Sequence, residues 1–190
     1  SKYFEKITTT KEYYITRSEK EILKKIAHEI NFIFKNNLTF IEFGSGSSEK
    51  INILLNDQVK FYVPLDISLD FIKKSSKQLF KSFPKIKILP TYCDYTKFIK
   101  LPKNISKTKV GFFLGSSIGN FYNGKEKEFL KNAKKTLGNK SFLFVGVDFI
   151  KETKILEKAY NDSDGFTAMF NLNLISIINK KLKAKLKLHN

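Results

Sequence analysis

Short apolar runs, each followed by a loop and then an amphipathic stretch, recur along this chain, and that alternation limits its fold more than any other feature. A strand covered on both faces reads as continuous apolar residues, and the helix that covers it reads as mixed. The rhythm therefore predicts an α/β fold with a mostly parallel, doubly wound sheet. The strands are read at Thr39-Phe40-Ile41-Glu42-Phe43, at Phe61-Tyr62-Val63-Pro64-Leu65, around Ile86, Ile88 and Leu89, at Val110-Gly111-Phe112-Phe113-Leu114, and over residues 141–147. A first helix is expected to begin at Ser18, with Glu21 completing a capping box, and to present Ile22, Ile26, Ile30 and Ile33 on one face before ending near Asn36-Asn37. Further helices are expected over residues 49–55, over residues 68–83 with Phe71, Ile72, Leu79, Phe80 and Phe83 inward, and over residues 125–137, closed by Gly138. After the last strand the pattern changes to two helical stretches, residues 151–160 and 170–182, separated by a turn-rich segment. A chain of 190 residues has room for one such domain and little more.

Composition bears mainly on partners. The chain carries 35 basic and 18 acidic residues, a net charge of +17 that invites a nucleic-acid or anionic-surface reading. Against it, every basic residue but Arg17 is lysine, in a chain rich in Ile, Phe and Asn, as compositional bias would produce. Base readout and bidentate phosphate contacts favour arginine, so no specific nucleic acid is expected as a partner. No uncharged apolar run is long enough to span a bilayer, so no membrane partner is expected either. The single cysteine, Cys93, forbids an internal disulfide framework and fits a cytoplasmic setting. Cys93 reads as a small core side chain, and His28 and His189 as surface residues, so no metal site is expected.

In an open α/β sheet, ligands bind beyond the carboxyl ends of the strands, and the first strand-to-helix loop usually meets the cofactor. Here that loop is Gly44-Ser45-Gly46-Ser47-Ser48, where missing Cβ atoms allow a tight bend and close approach by a ligand. Asp66 follows 22 residues after Gly44 at the end of the second strand, where a carboxylate can accept from both hydroxyls of a ribose. A nicotinamide dinucleotide and S-adenosyl-L-methionine both satisfy that pairing. The short Gly-x-Gly suits the second better, with Lys50 as a partner for its carboxylate, because a pyrophosphate lies against a longer glycine fingerprint. Asp94-Tyr95, after the third strand, could meet the adenine, and residues 115–121, after the fourth, read as a site wall.

Four blocks carry more than periodicity: Tyr13-Tyr14-Ile15-Thr16-Arg17-Ser18-Glu19, Glu42-Phe43-Gly44-Ser45-Gly46-Ser47-Ser48-Glu49-Lys50, Phe113-Leu114-Gly115-Ser116-Ser117-Ile118-Gly119-Asn120-Phe121, and Ala159-Tyr160-Asn161-Asp162 with Thr167-Ala168-Met169-Phe170-Asn171-Leu172-Asn173. Together and in this order they resemble the histidine-specific methyltransferase family, whose members trimethylate the α-amine of histidine to make hercynine, the ergothioneine precursor. The resemblance implies a Rossmann-like class I methyltransferase fold and S-adenosyl-L-methionine contacts at Gly44, Lys50, Asp66, Asp94 and Tyr95. It implies that Tyr13, Asn120 and Tyr160 line the amino-acid pocket, so the expected small-molecule partner is histidine or a related amino acid. It also implies that residues 18–150 bind the cofactor, while residues 1–17 and 151–190 belong to a smaller substrate lobe. Family members extend beyond both ends of this chain, and the imidazole-reading residues lie past Asn190, so the sequence is expected to be a fragment of a protein that is a monomer at full length. The alternatives from other classes are a non-catalytic basic module and an inactive cofactor-binding remnant. No residue is identified as the base that deprotonates the amine; water and Tyr13 are the candidates.

Overall fold

In the computed structural model, residues 2–186 are described, and they divide into two compact units, residues 19–148 and residues 1–18 with 149–190. In chain order the elements are α1 (Lys2–Ile7), α2 (Tyr14–Ile33), β1 (Leu38–Phe43), β2 (Val59–Asp66), α3 (Leu69–Ser82), β3 (Lys87–Ile88), β4 (Thr91–Tyr92), β5 (Thr108–Phe113), α4 (Lys125–Leu137), β6 (Phe142–Val145), α5 (Thr153–Ala159) and α6 (Phe166–Leu182). His189 and the end of the expected lobe segment 151–190 lie outside the described residues.

The larger unit is built on a sheet in the order β3-β2-β1-β5-β6, with β4 also on β2 and every pairing parallel. β1 is buried at every position because both of its faces are covered. Leu38 and Phe40 point with Tyr62, Val110 and Phe112 toward Leu23 and Ile30 of α2 and Phe34 just after it. Ile41 and Phe43 point the other way, with Val63, Leu65 and Phe113, toward Phe129, Ala133 and Leu137 of α4. This is the doubly wound arrangement that continuous apolar strands require. α4 comes close to the sheet at Gly111, where a Cβ would lie 2.8 Å from the Leu137 side chain. Gly138, at φ 81°, ends that helix as expected.

The structure departs from the sequence-based expectations in several places. α2 starts at Tyr14, not Ser18, because Thr10 Oγ1 accepts the Tyr13 N–H at 3.3 Å and the Arg17 guanidinium donates to the Thr10 carbonyl at 2.6 Å, ordering the turn that feeds the helix; Ser18 is then an exposed interior residue. The inward stripe of α2 is Leu23, Ile26, Ala27 and Ile30, continued by Phe34 just beyond its end, so Ile22 and Ile33 face solvent. The helix expected over residues 49–55 is only a 3-10 turn at Ile51–Ile53: Ile51, Leu54 and Leu55 plug the core, and β2 follows too closely for a longer helix. Pro90 splits the third strand into β3 and β4, since it has no N–H to donate, and Phe80 of α3 lies on the solvent side.

The smaller unit packs Ile7, Tyr13 and Ile15 against Tyr14 and Phe166. Its α6 starts at Phe166, four residues before the expected position, because Asp162 accepts the Phe166 and Thr167 N–H groups at 2.8 and 2.7 Å. Burial works against the Asp162 anion, yet these bonds hold its pKa below the ordinary value.

Candidate active site

The loop after β1 bends at two glycines in the left-handed region, Gly44 at φ 70° and Gly46 at φ 49°. The Gly44 and Ser45 N–H groups both donate to the Leu65 carbonyl, at 2.8 and 3.1 Å, which ties the loop to the end of β2. Asp66 tightens that tie. Its Oδ2 accepts the Gly46 N–H at 2.9 Å and its Oδ1 accepts the Ser68 N–H at 2.8 Å, so one nearly buried carboxylate holds the loops after β1 and β2 together. Each carboxylate oxygen has a second lone pair, and that is the capacity a ribose diol would use.

Tyr95 lies over the first bend: a Cβ on Gly44 would sit 3.1 Å from the Tyr95 ring, whereas a Cβ on Gly46 would meet nothing within 4 Å. Tyr95 also leans on Phe113, with ring centroids 6.1 Å apart, and burial raises its phenol pKa. Its neighbour Asp94 has partners of its own. Asp94 Oδ1 accepts from the Thr96 hydroxyl at 2.6 Å and the Thr96 N–H at 3.1 Å, and Lys97 lies 3.3 Å from Oδ2, so these groups lower the Asp94 pKa with the Thr96 hydroxyl foremost. Cys93 packs among the core residues beneath, and burial, with the nearby carboxylates, pushes its thiol up to about 11, which leaves it inert at neutral pH.

Three residues that sequence reasoning left without a role are central to this loop. Glu42, the last inward position of β1 on the α2 side, is buried, and Tyr62 joins it: the Tyr62 hydroxyl bridges the Glu42 carboxyl and Ser48 Oγ, the latter at 3.1 Å. Burial first, then Asp66 and Glu19, raise the Glu42 pKa to about 8, although the Tyr62 bond and Lys50 pull the other way. Burial and Glu42 likewise raise the Tyr62 pKa well above its ordinary value. Glu19 of α2 is the third. It pairs with Lys50 at 2.6 Å and accepts the Gly115 N–H at 2.7 and 2.9 Å, which joins the loop after β1 to the loop after β5. A polar residue at an inward position of an otherwise apolar strand was the available signal for Glu42. Nothing local marks Glu19, whose partners lie 31 and 96 residues further along the chain.

The loop after β5 turns through Gly115 at φ 83° and Ser116 at φ 56° into a 3-10 turn, Ser117–Asn120, and Ser116 Oγ accepts the Asp148 N–H at 3.0 Å. Asn120 ends that turn with its side chain exposed. Tyr13 and Tyr160 belong to the smaller unit, where their rings meet edge to face at 6.0 Å; Tyr13 is buried and Tyr160 exposed. Thus Gly44 with Tyr95, the first loop with Asp66, and Tyr13 with Tyr160 are brought together, while Asp94 is engaged by Thr96 and Lys97. Among the described residues no cluster of side chains suited to a metal ion occurs, and no helix is long and apolar enough to cross a membrane.

Comparison with known proteins gives one consistent picture. A family described as histidine-specific, S-adenosylmethionine-dependent methyltransferases matches residues 1–190. A histidine N-alpha-methyltransferase of Mycolicibacterium smegmatis is 32% identical over 189 residues, covering 97% of this chain and 58% of that protein. Ergothioneine biosynthesis protein 1 of Neurospora crassa is 36% identical over 178 residues, covering 90% of this chain and 20% of that protein. The chain thus spans little more than half, or less, of the length of these relatives. A crystal structure from Methanococcus maripaludis, described as that of an S-adenosyl-L-methionine-dependent methyltransferase, superposes with a TM-score of 0.51 at 15% identity over 88% of this chain and 80% of its own, which shows the Rossmann-like fold. With a family match over its full length and its motif blocks in place, the chain belongs to the histidine-specific, S-adenosylmethionine-dependent methyltransferases.

Proposed function

We propose that the protein is an S-adenosyl-L-methionine-dependent N-methyltransferase acting on the α-amino group of histidine or a related amino acid. The observation that carries this reading is the charge of the first loop. Within a chain of net charge +17, Glu19, Glu42 and Asp66 gather close enough to one another and to Lys50 for Glu42 to feel the other three. Glu42 is largely protonated at neutral pH and Glu19 is paired with Lys50, so what the loop offers a ligand is the Asp66 carboxylate for a ribose diol and the Lys50 ammonium for a carboxylate. The open space at Gly46 and the Tyr95 ring over Gly44 provide a cradle of the right kind.

In this reading Asp66 receives the ribose hydroxyls, Gly44 lets the ligand approach the backbone, Lys50 meets the methionine carboxylate, and Asp94 and Tyr95 flank the adenine. When bound, the cofactor supplies an electrophilic methyl group. Asn120 offers an acceptor for the substrate amine and a donor for its carboxylate, and Tyr13 and Tyr160 line the substrate lobe formed by the chain's two ends. The protein's contribution is positioning and exclusion of water rather than covalent chemistry. In this reading the full-length protein works in the cytoplasm as a monomer.

A methyl-transfer screen of free amino acids with the intact protein tests the proposal. Transfer to histidine above all others is expected; transfer to none, with no binding of S-adenosylhomocysteine, would discard it.

A further inference from the structure

We propose that Glu19 is a positioning residue for the cofactor's amino-acid arm: its carboxylate fixes Lys50 in one orientation and aims the ammonium at the methionine carboxylate. The inference rests on the reading above in which Lys50 is the partner of that carboxylate.

Three observations support it. First, Glu19 is itself immobilised: both of its oxygens accept the Gly115 N–H, at 2.7 and 2.9 Å, so the carboxylate is held by backbone. Second, the Lys50–Glu19 pair, at 2.6 Å, is largely shielded, with side-chain exposures of 22% and 12%; the Lys20–Glu49 pair beside it in sequence has the same separation but exposures of 34% and 63%. A solvated pair of the second kind fixes little, whereas a shielded pair anchored to backbone holds its lysine in place. Third, the chain makes room for the arrangement with glycines. A Cβ at Gly146 would lie 2.1 Å from Glu19 Oε1, and one at Gly115 would lie 2.8 Å from Lys50 Nζ.

An ammonium has three N–H donors, and the bond to Glu19 uses one. The other two are then directed by a fixed partner. Without Glu19 the lysine regains its rotamers, and a ligand must order it again at a cost in affinity. Glu19 contributes nothing to adenosine recognition in this scheme, so its effect should follow the amino-acid arm alone.

The test compares two ligands by calorimetry on the intact protein: S-adenosylhomocysteine, which carries the amino-acid arm, and 5′-methylthioadenosine, which does not. Lys50→Met is expected to weaken the first and spare the second. Glu19→Gln is expected to weaken S-adenosylhomocysteine by about five- to tenfold, the cost of ordering one long side chain, with 5′-methylthioadenosine within about twofold of the parent. The double variant should bind no more weakly than Lys50→Met alone. Equal losses for both ligands in Glu19→Gln would mean that the residue only maintains the fold, and would overturn the inference. Additive losses in the double variant would mean that Glu19 touches the ligand itself, and would also overturn it. If Lys50→Met leaves the two ligands unchanged, the assignment of the arm to Lys50 fails and the inference fails with it. A change at Lys50 with none at Glu19 removes the inference alone.

Discussion

The loops after β1 and β5 are pinned by the same device and differ in where the pin comes from. In each, a glycine N–H donates to a carboxylate: Gly46 to Asp66, and Gly115 to Glu19. Asp66 reaches its loop from the end of the neighbouring strand, whereas Glu19 reaches across from a helix that precedes the sheet in sequence. The first loop also rests on Glu42, a buried acid bonded to Tyr62, while the acid of the second has Lys50 as its counter-ion. One loop is therefore sensitive to protonation beneath it and the other to the placement of a lysine.

The largest expected effect comes from removing the first pin. Asp66→Ala strips the acceptors from two backbone N–H groups and should destabilise the fold by about 3–5 kcal/mol, since bonds to a charged group contribute about 1.5–3 kcal/mol each. Denaturant unfolding measures this, and calorimetry with S-adenosylhomocysteine should show affinity falling by about a hundredfold or more. An Asp66→Ala variant with unchanged midpoint and affinity would remove Asp66 from both roles.

Next in size is the pH dependence set by Glu42. Its folded pKa, about 8, lies above the ordinary 4.5, so the folded state holds a proton that the unfolded chain has released between those values. Stability from this group is complete at acid pH, declines as pH rises from about 4.5 to 8, and levels off above that. The loss across the window is about 4 kcal/mol, and Glu42→Gln should flatten it while keeping an acceptor for Tyr62. Melting curves of parent and variant between pH 5 and 8 check the sign; parallel curves would show that Glu42 titrates normally.

Smaller effects distinguish the glycines. Gly44→Ala combines a left-handed backbone with a clash against the Tyr95 ring and should cost about 2–3 kcal/mol, while Gly46→Ala meets open space and carries only the backbone penalty, about 1 kcal/mol. Unfolding midpoints in the reverse order would contradict the packing of Tyr95. The smallest effect is expected at the tip of the second loop, where Asn120→Ala, made in the full-length protein, should raise the KM for the proposed amino-acid substrate by about fivefold, one neutral hydrogen bond, and leave cofactor affinity unchanged. A loss of cofactor affinity instead would make Asn120 structural.

Much of the first loop was legible because its parts repeat at fixed places in a strand-loop-helix frame: the glycines after β1, Asp66 after β2, and Ser68 just before α3. β5, β6 and the Gly138 stop were legible for the same reason. What escaped depends on distant partners. The start of α2 was hidden because Arg17 and Thr10 outweigh the local signal at Ser18, and the expected helix after the first loop was lost to the core's demand for Ile51 and Leu54. Glu19 could not be read at all, since a glutamate on a lysine-rich helix looks like any solvated residue until the fold delivers Gly115 and Lys50 to it.

Each loop also contains a serine where the backbone would prefer glycine, Ser48 at φ 57° and Ser116 at φ 56°. A left-handed serine costs about 1 kcal/mol, and the hydroxyl returns about as much through its bond, accepting from the Tyr62 hydroxyl in one loop and from the Asp148 N–H in the other. Glycine at either position would leave the melting temperature nearly where it was, but it would exchange a bolted corner for a swivel. The gain would be in the number of shapes the corner can take, which amide exchange would register even where calorimetry is silent.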